Sequence, residues 1–196
     1  MRSFTGIFIL IILLQSCHHG SNKNVVGSTT DSAANQSFFP VTNYIEGQIA
    51  DLKSKGIGPK ITITIGEHTD TTWIKSEDID KYAAEFLKPV IDSSNMNKWF
   101  GEKQFFDQTL DAVTFSYDPK EALPDSITLE HWDVYVDPKK GTVRRVYMVK
   151  TLGPDKTLQL TWQGDKWFKI TEITKKPDGS FNVDKETKIA WGYDEE

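Results

Sequence analysis

The chain has 196 residues, with 23 Lys or Arg against 28 Asp or Glu, and a formal net charge of −5 at pH 7. The basic residues form no patch or stripe, so nucleic acid is not an expected partner, and the mild acidic excess indicates solubility. A single cysteine excludes an internal disulfide bond. Six Trp and eleven Phe supply ample apolar side chains for one core.

Residues 1–16 have the features of a secretory signal peptide. Arg2 precedes an apolar run, Phe4–Leu14, that is shorter than the roughly 20 residues needed to cross a membrane. The tetrapeptide LQSC at residues 14–17 resembles the lipobox of bacterial lipoproteins. The resemblance implies cleavage between Ser16 and Cys17 and acylation of Cys17, with palmitate a typical acyl chain. Two or three acyl chains anchor a protein firmly, since each buried methylene contributes about 0.8 kcal/mol.

Gln15 stands where the lipobox usually has a small or β-branched residue. Two alternatives therefore stay open: an uncleaved membrane anchor, or a simple signal peptide whose cysteine is incidental. Cleavage would remove Arg2 and leave 22 basic against 28 acidic residues, a net charge of −6.

Residues 17–37 are rich in Gly, Ser, Thr and Asn, a composition that predicts a flexible tether. His18 and His19 lie in this segment and are not expected to bind metal. The chain resembles lipoproteins of the Bacteroidota, in which acidic residues soon after the cysteine are associated with surface export. Here the first acidic residue is Asp31. The resemblance therefore implies an outer-membrane lipoprotein that faces the periplasm.

Residues 38–196 are expected to form one domain whose first half is mainly helical. An apolar stripe at helical spacing predicts a helix that starts at a capping pair, Asn43 and Glu46, and stops at Gly56. Residues 60–65 alternate Ile with Lys or Thr, which predicts a strand, and residues 70–74 are its expected hairpin partner.

A second, longer helix is predicted from Ser76 to Pro89, which would end or kink it. The acidic residues in its first turn suit the positive end of the helix dipole better than they suit a metal or acid–base site. The segment 93–101 could form one further amphipathic turn.

From about Gln104 the sequence predicts an antiparallel β-meander of strands and tight turns. The apolar parity switches within residues 127–136, so we expect a β-bulge near Glu130 and His131. With the helices packed on one face of this sheet, the fold class is α+β, with two or three N-terminal helices.

The hairpin at residues 157–173 allows two registers. A two-residue turn at 164–165 would place Trp162 opposite Trp167. A loop one residue longer instead aligns Trp162 with Phe168 and Leu160 with Ile170, so that one face is wholly apolar. Because burial of that face contributes several kcal/mol at about 25 cal/mol per Å², we predict the second register, with Trp167 pointing outward.

The sequence contains no nucleophile motif and no phosphate-binding loop. Two His-x-Asp pairs, His68 with Asp70 and His131 with Asp133, would each share one face of a strand. Their spacing does not require a metal site. We therefore expect no cofactor, no metal and no enzymatic activity, although a hydrolase with an unrecognised polar pocket stays a third possibility.

Residues 104–173 resemble small uncharacterised Bacteroidota lipoproteins, and that family implies no activity. The expected function is a monomeric, non-enzymatic binding or accessory module of the envelope with a protein partner. The candidate interaction patch is Trp167 with Tyr135 and Tyr147. The alternative for these residues is that cross-strand aromatic pairs only stabilise the sheet. The alternative function is a carrier that holds an apolar ligand or lipid in a cavity between a curved sheet and a helix.

Overall fold

The computed structural model describes residues 38–192. The signal peptide (1–16), the tether (17–37) with Cys17, His18 and His19, and residues 193–196 lie outside the described residues. Within residues 38–192, no helix has the length and apolar character needed to cross a membrane.

Within the described residues, nine antiparallel strands form one open sheet, and two short helices precede most of them. The sheet order is β2-β1-β9-β8-β7-β6-β5-β4-β3. The elements are α1 (Val41–Ser54), β1 (Lys60–Ile65), β2 (His68–Trp73), α2 (Ile79–Ala83), β3 (Phe100–Asp107), β4 (Ala112–Pro119), β5 (Leu129–Val136), β6 (Val143–Gly153), β7 (Lys156–Gln163), β8 (Trp167–Lys175) and β9 (Phe181–Ala190).

The α+β class is confirmed, and β3 to β9 form the predicted meander. The N-terminal hairpin, β1 with β2, joins the same sheet because β1 pairs with β9. The last strand, β9, begins at Phe181 and ends at Ala190. Its first part is paired with β8 although Phe181 and Val183 are largely exposed.

The predicted start of α1 was wrong. The helix begins at Val41, directly after Pro40, and no side chain among residues 38–192 caps its N-terminus. Pro40 is the N-cap residue, and its carbonyl oxygen accepts a hydrogen bond of 3.1 Å from the backbone N–H of Tyr44. Thr42 is buried in this first turn, and its Oγ1 accepts a hydrogen bond of 2.8 Å from the backbone N–H of Ile91. This tertiary contact accounts for a helix that begins before the predicted capping pair, Asn43 and Glu46. Its predicted stop is confirmed, since Gly56 has φ +63°.

The prediction of one continuous helix from Ser76 to Pro89 was also wrong. A 3₁₀ turn at Ser76–Asp78, the five-residue α2 and a 3₁₀ turn at Ala84–Leu87 follow one another. Lys88 is extended, as a residue before proline tends to be, and this ends the helical segment. The tighter last turn places Phe86 in the core, 5.3 Å from both the Trp162 and Phe168 ring centroids.

The two predictions about strand register are confirmed. The pairing of β5 with β6 shifts between Leu129 and His131, where the parity of apolar residues changes. On β7 and β8, Trp162 lies opposite Phe168 and Leu160 opposite Ile170. Because successive side chains alternate between faces, Trp167 points away from Phe168, to the other side of the sheet.

The core fills one face of the sheet, between the strands and the helical segments. Trp132 stacks on Tyr117 with ring centroids 4.4 Å apart, and Trp162 stacks on Phe168 at 5.0 Å. The buried residues of α1 cover this layer: Val41, Thr42, Ile45, Ile49 and Leu52. The opposite face carries no helix from the described residues, and it is the face on which the candidate site lies.

Candidate functional site

The helix-free face is defined by the side chains that alternate with the core residues on the central strands. The strand pairing brings together side chains that lie far apart in the sequence. Its central members are His131, Asp133, Tyr135, Arg145, Tyr147, Gln163, Trp167 and Lys169.

The three residues of the predicted patch, Tyr135, Tyr147 and Trp167, all lie on the helix-free face and are half-buried. One row of residues that pair across neighbouring strands contains, in order, Tyr135, Arg145, Gln163 and Trp167. Tyr147 lies two residues from Arg145 on β6, in the next such row on this face. Each aromatic ring therefore faces a polar residue across the strands, and the three do not form direct cross-strand aromatic pairs.

Cations lie over two of these rings. The Arg145 guanidinium is 5.8 Å from the ring centroid of Tyr135, and the Lys188 ammonium is 5.1 Å from that of Trp167. Burial and the nearby Asp133 carboxylate raise the pKa of Tyr135 to about 12. The phenol of Tyr135 is therefore a neutral hydrogen-bond donor at physiological pH.

His131 is at the centre of a polar chain on the same face. Its Nδ1 is 2.9 Å from Oδ1 of Asp118, and its Nε2 is 3.0 Å from Oδ1 of Asp133. Lys103 donates to the other oxygen of Asp118 at 2.9 Å, and Tyr135 donates to the other oxygen of Asp133 at 3.1 Å. The chain thus runs across β3, β4 and β5.

The imidazole can donate from both nitrogens at once only when it is doubly protonated. The hydrogen bond and charge of Asp133, together with those of Asp118, raise the pKa of His131 although burial opposes this. The Lys103 and His131 hydrogen bonds hold the pKa of Asp118 below its ordinary value. When it is doubly protonated, His131 donates to both carboxylates and has no ring nitrogen left to accept a proton from a substrate.

The spacing of His131 and Asp133 correctly indicated that they share a face, but Asp118 comes from β4 and could not be identified from spacing. The other pair, His68 and Asp70, lies 3.2 Å apart on the edge strand β2, with both side chains about four-fifths exposed. Within residues 38–192, no group of three or more potential ligands is arranged to hold a metal ion.

Sequence reasoning missed a buried cation on the core face. Lys150 is 1% exposed. Its ammonium donates to the backbone carbonyl of Glu85 and, at 3.1 Å, to the side-chain carboxylate of Glu85. Burial lowers the pKa of Lys150, although the Glu85 carboxylate counteracts this. Lys150 stands at an alternate position of β6 with Val146 and Met148, whose side chains are buried. That alternation was the sequence feature from which its place on the core face could have been predicted.

Comparisons with protein-family models, with curated proteins and with solved structures found no match to this chain.

Proposed function

We propose that this protein is a non-enzymatic binding or accessory module of the cell envelope. In this proposal acylated Cys17 anchors it to the outer membrane, the domain faces the periplasm, and the helix-free face binds a partner. One observation carries the proposal: Tyr135, Tyr147 and Trp167 lie half-buried among charged residues on a face that none of the described helices covers.

The composition of the helix-free face is typical of an interface. Tyr, Trp and Arg are enriched in protein interfaces, because they combine a large contact area with hydrogen-bonding groups. Here Arg145 and Gln163 lie between Tyr135 and Trp167 in one row across the strands. The phenols are uncharged donors, and His131 is engaged by two carboxylates. These features favour recognition over proton transfer.

The described domain starts on the side of the sheet opposite the helix-free face. Phe38 is buried on the helix-covered side, where its ring lies 4.9 Å from Tyr117 and 6.1 Å from Trp132. A partner on the helix-free face therefore does not compete for space with the chain at residue 38.

The alternative function, carriage of an apolar ligand, has less support. It needs an apolar cavity between the sheet and the helices, but the buried residues of α1 are at most 4% exposed in that layer. A cleft of about 290 Å³ beside α2 is lined by charged residues, including Lys81, Glu85 and Lys185, as well as apolar ones. Carriage stays a prediction, and native mass spectrometry of the full chain for a co-purifying ligand tests it.

Site-specific photo-crosslinking in intact envelopes tests the proposed function. A photoreactive phenylalanine analogue at Tyr147 probes the helix-free face, and the same analogue at Glu46, which is exposed on α1, is the matched control. We expect a discrete adduct from position 147 that position 46 does not give, and its loss when Tyr135 is also changed to Ala. The same adducts from both positions, or adducts from position 46 alone, would contradict the proposal.

A further inference from the structure

A small cleft at one end of the helix-free face is lined by two consecutive arginines. Its volume is about 280 Å³, and no Asp or Glu is among the six described residues that line it. Those residues are Leu110, Ala112, Tyr135, Arg144, Arg145 and Gln163.

A β-bulge accounts for the two arginines in one cleft. Consecutive residues of a regular strand point to opposite faces, so Arg144 and Arg145 would normally diverge. Here Tyr135 pairs with Arg145 but Val136 pairs with Val143, which leaves Arg144 as the extra residue on β6. Bulges often lie beside functional sites, where they redirect a side chain.

Arg144 holds the wall of the cleft in place. Its Nη1 donates to the carbonyl oxygens of Leu110 and Asp111 at 2.9 and 3.0 Å, which fixes the turn between β3 and β4. Its Nε and Nη2 lie 3.2 and 3.1 Å from Oδ2 of Asp137. Asp137 also accepts from the backbone N–H groups of Lys139 and Lys140. The positive charge of Arg144 is thus paired.

Arg145 is oriented but not paired. Its Nε donates to Oε1 of Gln163 at 3.1 Å, and its guanidinium lies over the ring of Tyr135. Across residues 38–192, no carboxylate forms an ion pair with Arg145, and its terminal Nη groups donate no hydrogen bond. Since Gln163 uses its oxygen for Arg145, the amide NH₂ of Gln163 is a further donor at the cleft.

A fixed guanidinium fork with open donors matches the oxygens of a carboxylate or a phosphate. The cleft volume lies just below the usual range for ligand sites, roughly 300–1,000 Å³, so it suits a compact molecule better than a long chain. We infer that this cleft binds an oxyanion, a carboxylate or phosphate on a monosaccharide-sized ligand, with Arg145 as the anion-binding residue and Gln163 positioning it. The inference goes beyond the proposed function, because it assigns a small-ligand site at one end of the helix-free face.

Nuclear magnetic resonance titration of the full-length ¹⁵N-labelled chain in neutral detergent tests the inference. The probes are glucose 6-phosphate, glucuronate and, as the uncharged control, glucose. We expect at least one anionic sugar to shift the Arg145 Nε–H resonance saturably while glucose does not. Comparison of the shifts caused by glucose 6-phosphate and by glucuronate shows whether the cleft binds a phosphate or a carboxylate. No saturable shift with either anion, or an equal shift with glucose, overturns the inference.

Variants establish the residue assignment. Arg145→Gln should weaken binding at least about tenfold, since a charge-assisted bidentate contact is lost. Lys140→Gln removes a positive charge from the neighbouring turn outside the cleft and should leave affinity within about twofold. Gln163→Met should also weaken binding, and it keeps the test usable if Arg145→Gln does not fold. Unchanged affinity in a folded Arg145→Gln protein overturns the assignment.

The outcomes also separate this inference from the proposed function. If the anions fail to bind but position 147 still gives its face-specific adduct, the oxyanion site is wrong and the binding module stands. If that adduct is absent as well, both fail.

Discussion

Trp162 and Phe168 lie directly opposite each other on β7 and β8, and their rings stack with centroids 5.0 Å apart and an interplanar angle of 13°. Both side chains are 0% exposed. This pair fixes which face of the β7–β8 hairpin belongs to the core, and therefore which face carries Trp167.

Phe168→Ala is expected to destabilise the protein by about 3–5 kcal/mol, the usual cost of a large-to-small change at a fully buried aromatic site. Urea unfolding followed by tryptophan fluorescence measures the change. Lys169→Ala, one residue later and on the helix-free face, is the control and should change the free energy of unfolding by less than about 1 kcal/mol. Similar losses from the two variants would show that the register is wrong.

Apolar alternation allowed the sequence to predict this register and the bulge between Leu129 and His131. In both cases one arrangement buries an apolar face and the other exposes it, so the free-energy difference is large and local to one hairpin. The start of α1 and the broken helix at Ser76–Leu87 depended instead on tertiary contacts of Thr42 and Phe86, which single-segment patterns do not contain.

The candidate site was predictable in part. Alternation placed Tyr135, Tyr147 and Trp167 on one face, but the partners of those residues come from other strands. Asp118 reaches His131 across β4 and β5, and the bulge at Arg144 depends on the pairing of β5 with β6. Such contacts follow from the register of several strands together, so no spacing within one strand indicates them.

The His131 cluster should make stability depend on pH. The folded-state pKa of His131 is raised, so its contribution is fully present below the ordinary value of 6.5 and is lost as pH rises through the folded value. The pKa values of Asp118 and Asp133 are lowered, so their contribution is present above 3.8 and is lost as pH falls through their folded values. The cluster should stabilise most between these limits.

The test compares the urea midpoint of the wild type with that of His131→Gln from pH 5 to pH 9. We expect the stability difference to be largest near pH 5 and to shrink as pH rises. His68→Gln, at an exposed position on the edge strand β2, is the control and should change the urea midpoint less than His131→Gln does. A difference for His131→Gln that grows with pH would mean that the ring is not held as a cation.

Burial of the charged Lys150 side chain is expected to lower the free energy of unfolding. Lys150→Met should leave the free energy of unfolding within about 1 kcal/mol of the wild type or raise it, because apolar replacement of a buried charge is often neutral or stabilising. Glu85→Ala leaves the buried ammonium without its carboxylate and should lower stability by about 1–3 kcal/mol. Chemical denaturation at pH 7 measures both, and a loss larger than 2 kcal/mol for Lys150→Met would contradict this account.

The stability of the wild type should also increase as pH rises through the lowered folded pKa of Lys150 toward its ordinary value of 10.5. In that range the unfolded chain binds the proton more tightly than the folded chain does. Lys150→Met should remove this part of the pH dependence.

Cys17→Ala is expected to release the product from the membrane or to leave it as an uncleaved precursor, because the proposed anchor is the lipid on that thiol. Fractionation of cells and mass spectrometry of the mature N-terminus measure the change. His18→Ala, at the next residue, is the control and should stay in the membrane fraction with an acylated N-terminus. A Cys17→Ala product that fractionates and migrates like the wild type would rule out the lipoprotein proposal.

The central claim, that the helix-free face binds a partner, is tested most directly at Trp167. The measurement compares the thermal stability of Trp167→Ala with its recovery of the partner crosslinked from intact envelopes. The account predicts a melting temperature within a few degrees of the wild type and a clear loss of partner recovery. A large fall in melting temperature with partner recovery unchanged would contradict it and show that Trp167 serves the stability of the sheet.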